Sequence, residues 1–309
     1  MSDLISSLQN KFTFVNLGCI GDADMPLPKK LRGALTVIEA DVEGGANTQH
    51  SYFKKITMER PVAGKSGKRQ FRHTNFAGTC SLLEPLPGSV EAFGMENYTR
   101  LLKLIEFDCT TIPEMLHTNN LTTLDFLKTD IEGLDNEIIQ SCREYLGRTL
   151  MIQCELRFRP YYKEEPYFQD TVNLLADHGY EVLDILHVDR WKYRTAHRNY
   201  QMRGRALWAD FLFMLKPEKL VENFGAELPL AVSKQIILAT MFAKKNYGEY
   251  LLEKFQDKIP ADWQAELKPL LRPGLPSKAQ VIRSVRKLLH PLELLLKHRI
   301  GKSEFVAIK

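Results

Sequence analysis

The chain reads as an α/β protein built on a doubly wound, mainly parallel, Rossmann-like sheet. Three observations predict this. Short β-rich runs alternate with helical patterns from Phe12 to Leu215, the rhythm of strands joined by right-handed helical crossovers. The first run, Phe12 to Leu17, passes directly into Gly18-Cys19-Ile20-Gly21, the strand-then-glycine order of a mononucleotide site. A later apolar run ends in Lys128-Thr129-Asp130-Ile131-Glu132-Gly133. That places an aspartate where a buried strand turns into a helix, and the carboxyl ends of such strands are where open α/β sheets bind ligands.

The elements follow in order. Glycine at Gly18 and Gly21 suits a tight turn that a ligand approaches closely. Ala34 to Ile38 is a second strand leading into Glu39-Ala40-Asp41. An acid about twenty residues after the first strand can accept hydrogen bonds from both hydroxyls of a ribose. The third glycine of a dinucleotide fingerprint is missing, and Asp22 and Asp24 would repel a pyrophosphate at the next helix start. The turn therefore favours a nucleoside ligand without phosphates, such as S-adenosylmethionine, over a nicotinamide dinucleotide.

Tyr52 to Met58 is a third strand, and Arg69 to Thr74 an additional exposed one. Asn75 to Gly88 is a long loop, Leu101 to Cys109 is extended, and Ile112 to His117 is a short helix before the strand that ends at Asp130. Leu134 to Tyr145 reads as one helix, with Leu134, Ile138, Ile139 and Cys142 on one face. Leu150 to Glu155 is another buried strand ending in an acid, followed by Arg157, Arg159, Tyr161 and Tyr162. A helix from Pro166 to Asp177, a strand from Gly179 to Ile185, a polar loop or hairpin from Val188 to Arg205 and a strand from Ala206 to Leu215 close the sheet.

Beyond Lys216-Pro217 the character changes. Ala231 to Phe255 and Ser277 to Arg299 read as helices, separated by Pro260, Pro269, Pro273 and Pro276. The last carries Val281, Val285, Leu288, Leu289 and Leu292 at helical spacing, with Lys278, Arg283, Arg286, Lys287, Lys297 and Arg299 elsewhere. It reads as a cap with a solvated basic face, the alternative being peripheral contact with an anionic membrane. The expected division is a ligand-binding domain over residues 1–219 and a helical extension over 220–309.

A net charge of +4 does not by itself point to nucleic acid. The five cysteines are odd in number and lack a CxxC pair. They suit reduced thiols in the cytoplasm better than a disulfide framework or a zinc site. Met1 to Lys11 has no signal-type apolar core, and no apolar run is long enough to span a bilayer.

Taken together, the segments resemble the FkbM family of S-adenosylmethionine-dependent methyltransferases. The resemblance covers about Phe12 to Leu215. It is carried by Asn16-Leu17-Gly18-Cys19-Ile20-Gly21, Ile38-Glu39-Ala40-Asp41, Ser81-Leu82-Leu83-Glu84-Pro85 and Asp125 through Gly133. Gln153-Cys154-Glu155-Leu156-Arg157-Phe158 with Tyr161-Tyr162, and Leu207 through Phe213, complete it. The Leu-Lys-x-Asp-x-Glu-Gly segment is the most specific. The resemblance implies a class I methyltransferase sheet of seven strands whose last strand is antiparallel. It sets Gly18 and Gly21 against the methionine part of the cofactor and Glu39 on its ribose. Many methyltransferases carry an acid where Asn16 stands; an amide still accepts from the cofactor's amino group but supplies no charge.

Methyl transfer is an in-line displacement, so the enzyme must align an acceptor and can remove its proton. Asp130 is the first candidate for base or orienter, with Glu132 and Glu155 as partners or hydroxyl binders. Asn16, Gly18, Gly21, Glu39 and Asp41 form the expected cofactor set. Arg157, Tyr161 and Asp210 are the expected acceptor contacts, since guanidinium forks and tyrosine rings suit hydroxylated rings and phosphates. Asp130, Glu132 and Glu155 can hold a divalent cation if they face one pocket, but no histidine or further acid completes a metal set and none is assigned. His187 with Asp189 reads as a structural or surface pair. The run Lys192, Arg194, His197, Arg198, Arg203 and Arg205, with Trp191, Tyr193 and Tyr200 interleaved, reads as an acceptor-site rim favouring an anionic glycan or lipid-linked sugar. The expected activity is methylation of a hydroxyl on a sugar, glycan or secondary metabolite, as the resemblance implies. An N-methyltransferase and a non-catalytic module of the same fold are the rivals.

Overall fold

A computed structural model describes residues 3–18, 27–42, 52–195 and 204–272. Residues 1–270 form one compact unit and 271–309 a second, of which 271 and 272 are described. The helix expected over Ser277 to Arg299, and Cys19, Gly21, Asp22, Asp24, His197, Arg198, Tyr200 and Arg203, lie outside the described residues.

In chain order the elements are α1 (Asp3–Leu8), β1 (Thr13–Leu17), α2 (Lys29–Arg32), β2 (Thr36–Ala40), β3 (Lys54–Met58), β4 (Gly67–Thr74), β5 (Leu101–Cys109), α3 (Ile112–Thr118) and β6 (Phe126–Thr129). Then come α4 (Asp135–Ser141), α5 (Arg143–Leu146), β7 (Met151–Arg157), α6 (Phe168–Asp177), β8 (Tyr180–Trp191) and β9 (Arg205–Leu215). Helices α7 (Pro217–Phe224), α8 (Leu228–Met241), α9 (Lys245–Lys254) and α10 (Ala261–Leu271) end the described chain.

Seven strands make one sheet in the order β3-β2-β1-β6-β7-β9-β8. β1, β2, β3, β6 and β7 run parallel, and β9 runs antiparallel to both β7 and β8. This is the Rossmann-like methyltransferase order with an antiparallel last strand. Every residue of β1 and of β2 is buried, as expected of central parallel strands covered on both faces. β4 and β5 pair antiparallel in a separate two-stranded sheet inserted between β3 and β6. That sheet and the segment between its two strands contribute to a second apolar cluster, which includes Leu83, Val90, Phe93, Tyr161, Tyr162 and Leu207.

Several boundaries differ from the sequence expectation. The helix expected over Leu134 to Tyr145 breaks at Cys142, whose thiol donates to the Ile138 and Ile139 carbonyls at 3.4 Å. The helix expected over Ala231 to Phe255 divides into α8 and α9 at Phe242 to Lys244, where Ala243 has φ +55°. Neither break carries a glycine or proline to announce it. α1, α7 and α10 were not expected. The helices after Lys216, through Leu270, belong to the same compact unit as the sheet.

One buried ion pair ties α8 to the sheet. Lys234 Nζ lies 2.7 Å from Asp125 Oδ1, and both side chains are buried. The other Asp125 oxygen accepts from the Thr13 amide at 2.8 Å. The Asp125 amide donates to the Thr13 carbonyl, and its carbonyl accepts from the Leu150 amide, each at 2.9 Å. A single aspartate thereby fixes the starts of β1, β6 and β7, while Gln235 donates to the Leu150 and Leu215 carbonyls beside it. Removing one partner of a buried pair strands the other charge. Lys234→Met should lower unfolding free energy by about 3 kcal/mol in urea titration, and the double variant Asp125→Asn/Lys234→Met should recover part of that loss.

Candidate functional site

The carboxyl ends of β1, β2, β6 and β7 meet along one edge. Gly18 follows β1 at φ +72°, and its amide donates to the Ala40 carbonyl at 3.1 Å. A Cβ at Gly18 would fall 1.8 Å from the Asp130 carbonyl oxygen. The turn after β1 and the turn after β6 are therefore in backbone contact, and a side chain at Gly18 is excluded by conformation and by space.

The ladder register carries the expected residues across this edge. Asn16 pairs with Glu39 on one side and with Lys128 on the other, and Lys128 pairs with Gln153. Neighbours in register share a face, and residues two apart on one strand share it too. Asn16, Glu39, Lys128 and Glu155 thus line one face at the strand ends. Glu155 lies opposite Asp210, which lies opposite His187. Lys128 Nζ stands 3.7 Å from Asp130 Oδ2. Lys128 was not among the expected site residues, although it sits inside the Leu-Lys-x-Asp-x-Glu-Gly segment.

Glu39 is wholly buried within β2, and its carboxylate lies 3.0 Å from Lys55 Nζ of β3. Asp41 follows β2, half-buried, its amide donating to the Met58 carbonyl at 3.2 Å. His187 and Asp189 lie 3.1 Å apart on exposed β8.

The acids beyond β6 and β7 gather around one guanidinium. Arg157 is buried and bonds the Glu132 carboxylate directly; it lies 2.9 Å from Glu155 and 3.3 Å from Glu165. Glu165 also accepts from the Tyr161 amide at 2.6 Å and the Tyr162 amide at 3.1 Å. The Tyr162 hydroxyl lies 3.2 Å from Glu132 Oε2, and Ser81 Oγ donates to the Glu132 carbonyl at 2.7 Å. Glu132 itself has φ +55°, a left-handed conformation uncommon outside glycine that surrounding bonds must hold. Gly133 follows at φ +92°, and a Cβ there would lie 2.9 Å from the Tyr162 ring.

The Arg157 guanidinium is engaged by three carboxylates, Tyr161 is buried beside it, and Asp210 is half-buried opposite Glu155. Glu165 and Asp135, which complete the cluster, carry no signature a sequence reader would single out. Oxygen atoms of Asp130, Glu132 and Glu155 approach within 4.8 Å of one another, close enough to share a cation; Arg157 already brings positive charge to two of them.

Burial dominates the electrostatics. It pushes the Glu132 carboxyl up to about 7, although Arg157 opposes the rise. It pushes Asp135 up to about 7 despite the Thr129 hydroxyl donating to it at 2.5 Å. Burial also raises Glu155 well above the ordinary range, and raises Asp210 with help from the Asp130 charge. Burial alone would lower Arg157, but its carboxylate partners outweigh that and hold it charged.

An acid whose folded value is raised binds its proton more tightly in the native state. Its stabilising share is complete below the unfolded value and is lost as pH rises through the folded one. Wild-type stability should therefore fall between about pH 4 and pH 7 on account of Asp135, by on the order of 4 kcal/mol. Asp135→Asn should flatten that part of a urea-derived stability profile; an unchanged profile would place the titration elsewhere.

The model for the "Methyltransferase FkbM domain" matches residues 28–182, half of the chain. No curated protein matches the chain by sequence. Among solved structures, a Streptococcus pneumoniae protein assigned as a tRNA (m1A22) methyltransferase aligns over 87% of this chain and 96% of its own at 16% identity. Its TM-score of 0.27 is too low to bear on fold or function. The family match spans β2 through the start of β8, taking in Glu39, the Asp130 turn and the Arg157 cluster, and the chain belongs to the FkbM methyltransferase family.

Proposed function

We propose that this protein methylates a hydroxyl oxygen of a sugar, glycan or related secondary metabolite, with S-adenosylmethionine as the donor. The observation that carries the reading is the edge where Gly18 meets the Asp130 turn beside the Asn16–Glu39–Lys128 row. The residues there fit the cofactor. Glycine at position 18 lets the turn after β1 pack on the Asp130 turn, and Glu39 supplies an acceptor at the end of the adjacent strand.

When bound, the cofactor supplies an electrophilic methyl group on a sulfonium. Gly18 and Asp41 would form the cradle; Asn16 would accept from an amino group and Glu39 from ribose hydroxyls. Asp130 would orient the acceptor hydroxyl and take its proton. Lys128, 3.7 Å from the Asp130 carboxylate, orients Asp130. Arg157 and Glu132 pin the loop that presents Asp130, holding the transfer geometry within the narrow tolerance such displacements need. The thiols of Cys109, Cys142 and Cys154 are free and buried, which suits work in the reducing cytoplasm.

Calorimetric titration tests the cofactor assignment. Wild type should bind S-adenosylmethionine and S-adenosylhomocysteine, and Glu39→Ala should weaken both at least tenfold, about 1.4 kcal/mol or more. A folded protein that binds neither ligand would sink the enzyme reading. With binding established, Asp130→Asn should lower kcat on a hydroxyl acceptor by about 100-fold or more while leaving cofactor affinity within about threefold.

A further inference from the structure

A row of aromatic rings leads outward from the Arg157 cluster. The Arg157 guanidinium stands 5.7 Å from the centre of the Tyr161 ring. Tyr161 meets Trp208 edge to face at 6.0 Å, Trp208 meets Trp191 at 6.4 Å, Trp191 meets Tyr98 at 5.8 Å, and Tyr98 meets Phe76 at 5.1 Å. Exposure rises along the row. Tyr161 is 6% exposed, the two tryptophans are half-buried, Tyr98 is 36% exposed and Phe76 is 52% exposed. A row packed only as core would end beneath the surface, whereas this one surfaces in two large rings.

Two further observations point to a ligand. The Tyr161 hydroxyl is buried and has no hydrogen-bond partner among the described residues, and such a group is costly to leave unsatisfied. Arg159 and Arg205 both act electrostatically on that hydroxyl. Arg205 lies opposite Trp191 in the β8–β9 ladder and donates to the Tyr193 hydroxyl at 3.3 Å. Among the described residues neither arginine makes a salt bridge, although Arg159 acts electrostatically on Glu91. The acids nearby are already engaged, Glu96 by Arg194 at 2.9 Å and Glu91 by the Gly88 amide at 2.9 Å.

We propose that this row is the acceptor platform, and that it takes an anionic sugar, a ring bearing a carboxylate, phosphate or sulfate group. The proposal rests on the sugar-methylating reading above and narrows it. A pyranose lays its C–H face on the exposed Tyr98 and Phe76 rings, and its anionic group meets Arg159 and Arg205. Nucleic acid fits less well. Neighbouring rings touch one another at 5.1 to 6.4 Å, which leaves no gap into which a base can insert, and the chain's charge of +4 is mild.

The test is direct binding to the full chain saturated with S-adenosylhomocysteine, read by tryptophan emission and calorimetry. The probes are a hyaluronan tetrasaccharide and a tetragalacturonide, with maltotetraose as the neutral control and an eight-nucleotide single-stranded RNA as the polyanion control. At least one anionic tetrasaccharide should bind saturably, shift tryptophan emission, and bind about tenfold or more tighter than maltotetraose. Tyr98→Ala, Phe76→Ala and Arg205→Ala should each weaken it about fivefold or more, Tyr98→Phe should keep it, and none should change S-adenosylhomocysteine affinity. The proposal is overturned if neither anionic tetrasaccharide binds tighter than about 10 mM, if the variants bind as wild type does, or if the RNA binds tighter than both sugars. Cofactor affinity separates the two levels of failure. A sample that binds S-adenosylhomocysteine but no sugar defeats the platform alone, and one that binds no S-adenosylhomocysteine defeats the reading on which it rests.

Discussion

The active edge depends on one buried arginine. Arg157 brings Glu132, Glu155 and Glu165 together, and those acids in turn hold the backbone on which catalysis would turn. Glu132 sits in a left-handed conformation that few residues tolerate, inside the loop joining Asp130 to Gly133. Without a cation at its centre, the cluster would set buried carboxylates against one another in a poorly solvated space, and the loop would have no reason to keep its shape. The same burial that makes the cluster costly also raises the acids within it, so part of its charge is relieved by bound protons near neutral pH.

At the opposite end of the sheet Asp125 does comparable work for the fold. It joins the first residues of β1, β6 and β7 through its backbone and carboxylate, and α8 closes the arrangement with Lys234. The two clusters bracket β6, which carries Asp125 just before its start and Asp130 just after its end. Four strand residues, Phe126–Thr129, separate them. A strand so short, anchored at one end by Lys234 and at the other by Gly18 packing against the Asp130 carbonyl, has little freedom to shift register.

Much of this was legible along the chain. The mainly parallel sheet with its antiparallel last strand, the glycine turn at Gly18, the acid at Glu39 and the aspartate past β6 follow from period, turn chemistry and the family resemblance, because these signals are local. The helix breaks at Cys142 and Ala243 were not legible, since no glycine or proline marks them and packing imposes them. Glu165, Asp135 and Lys128 were missed for a related reason. Each is an ordinary polar residue in sequence, and it acquires meaning only from the neighbours that distant strands bring to it.

Alternation of short apolar runs with amphipathic helices determined the sheet, and glycine at position 18 determined a turn that no side chain can enter. Those properties depend on backbone conformation and side-chain period, which residues near in sequence set by themselves. What each charged or aromatic side chain does was decided by tertiary structure. Arg157, read as an acceptor contact, became the centre of a carboxylate cluster, and scattered rings from Phe76 to Trp208 became a continuous row. Burial and partner distance fix the energy of a charge or a ring, and both are settled only when segments far apart in the chain come together.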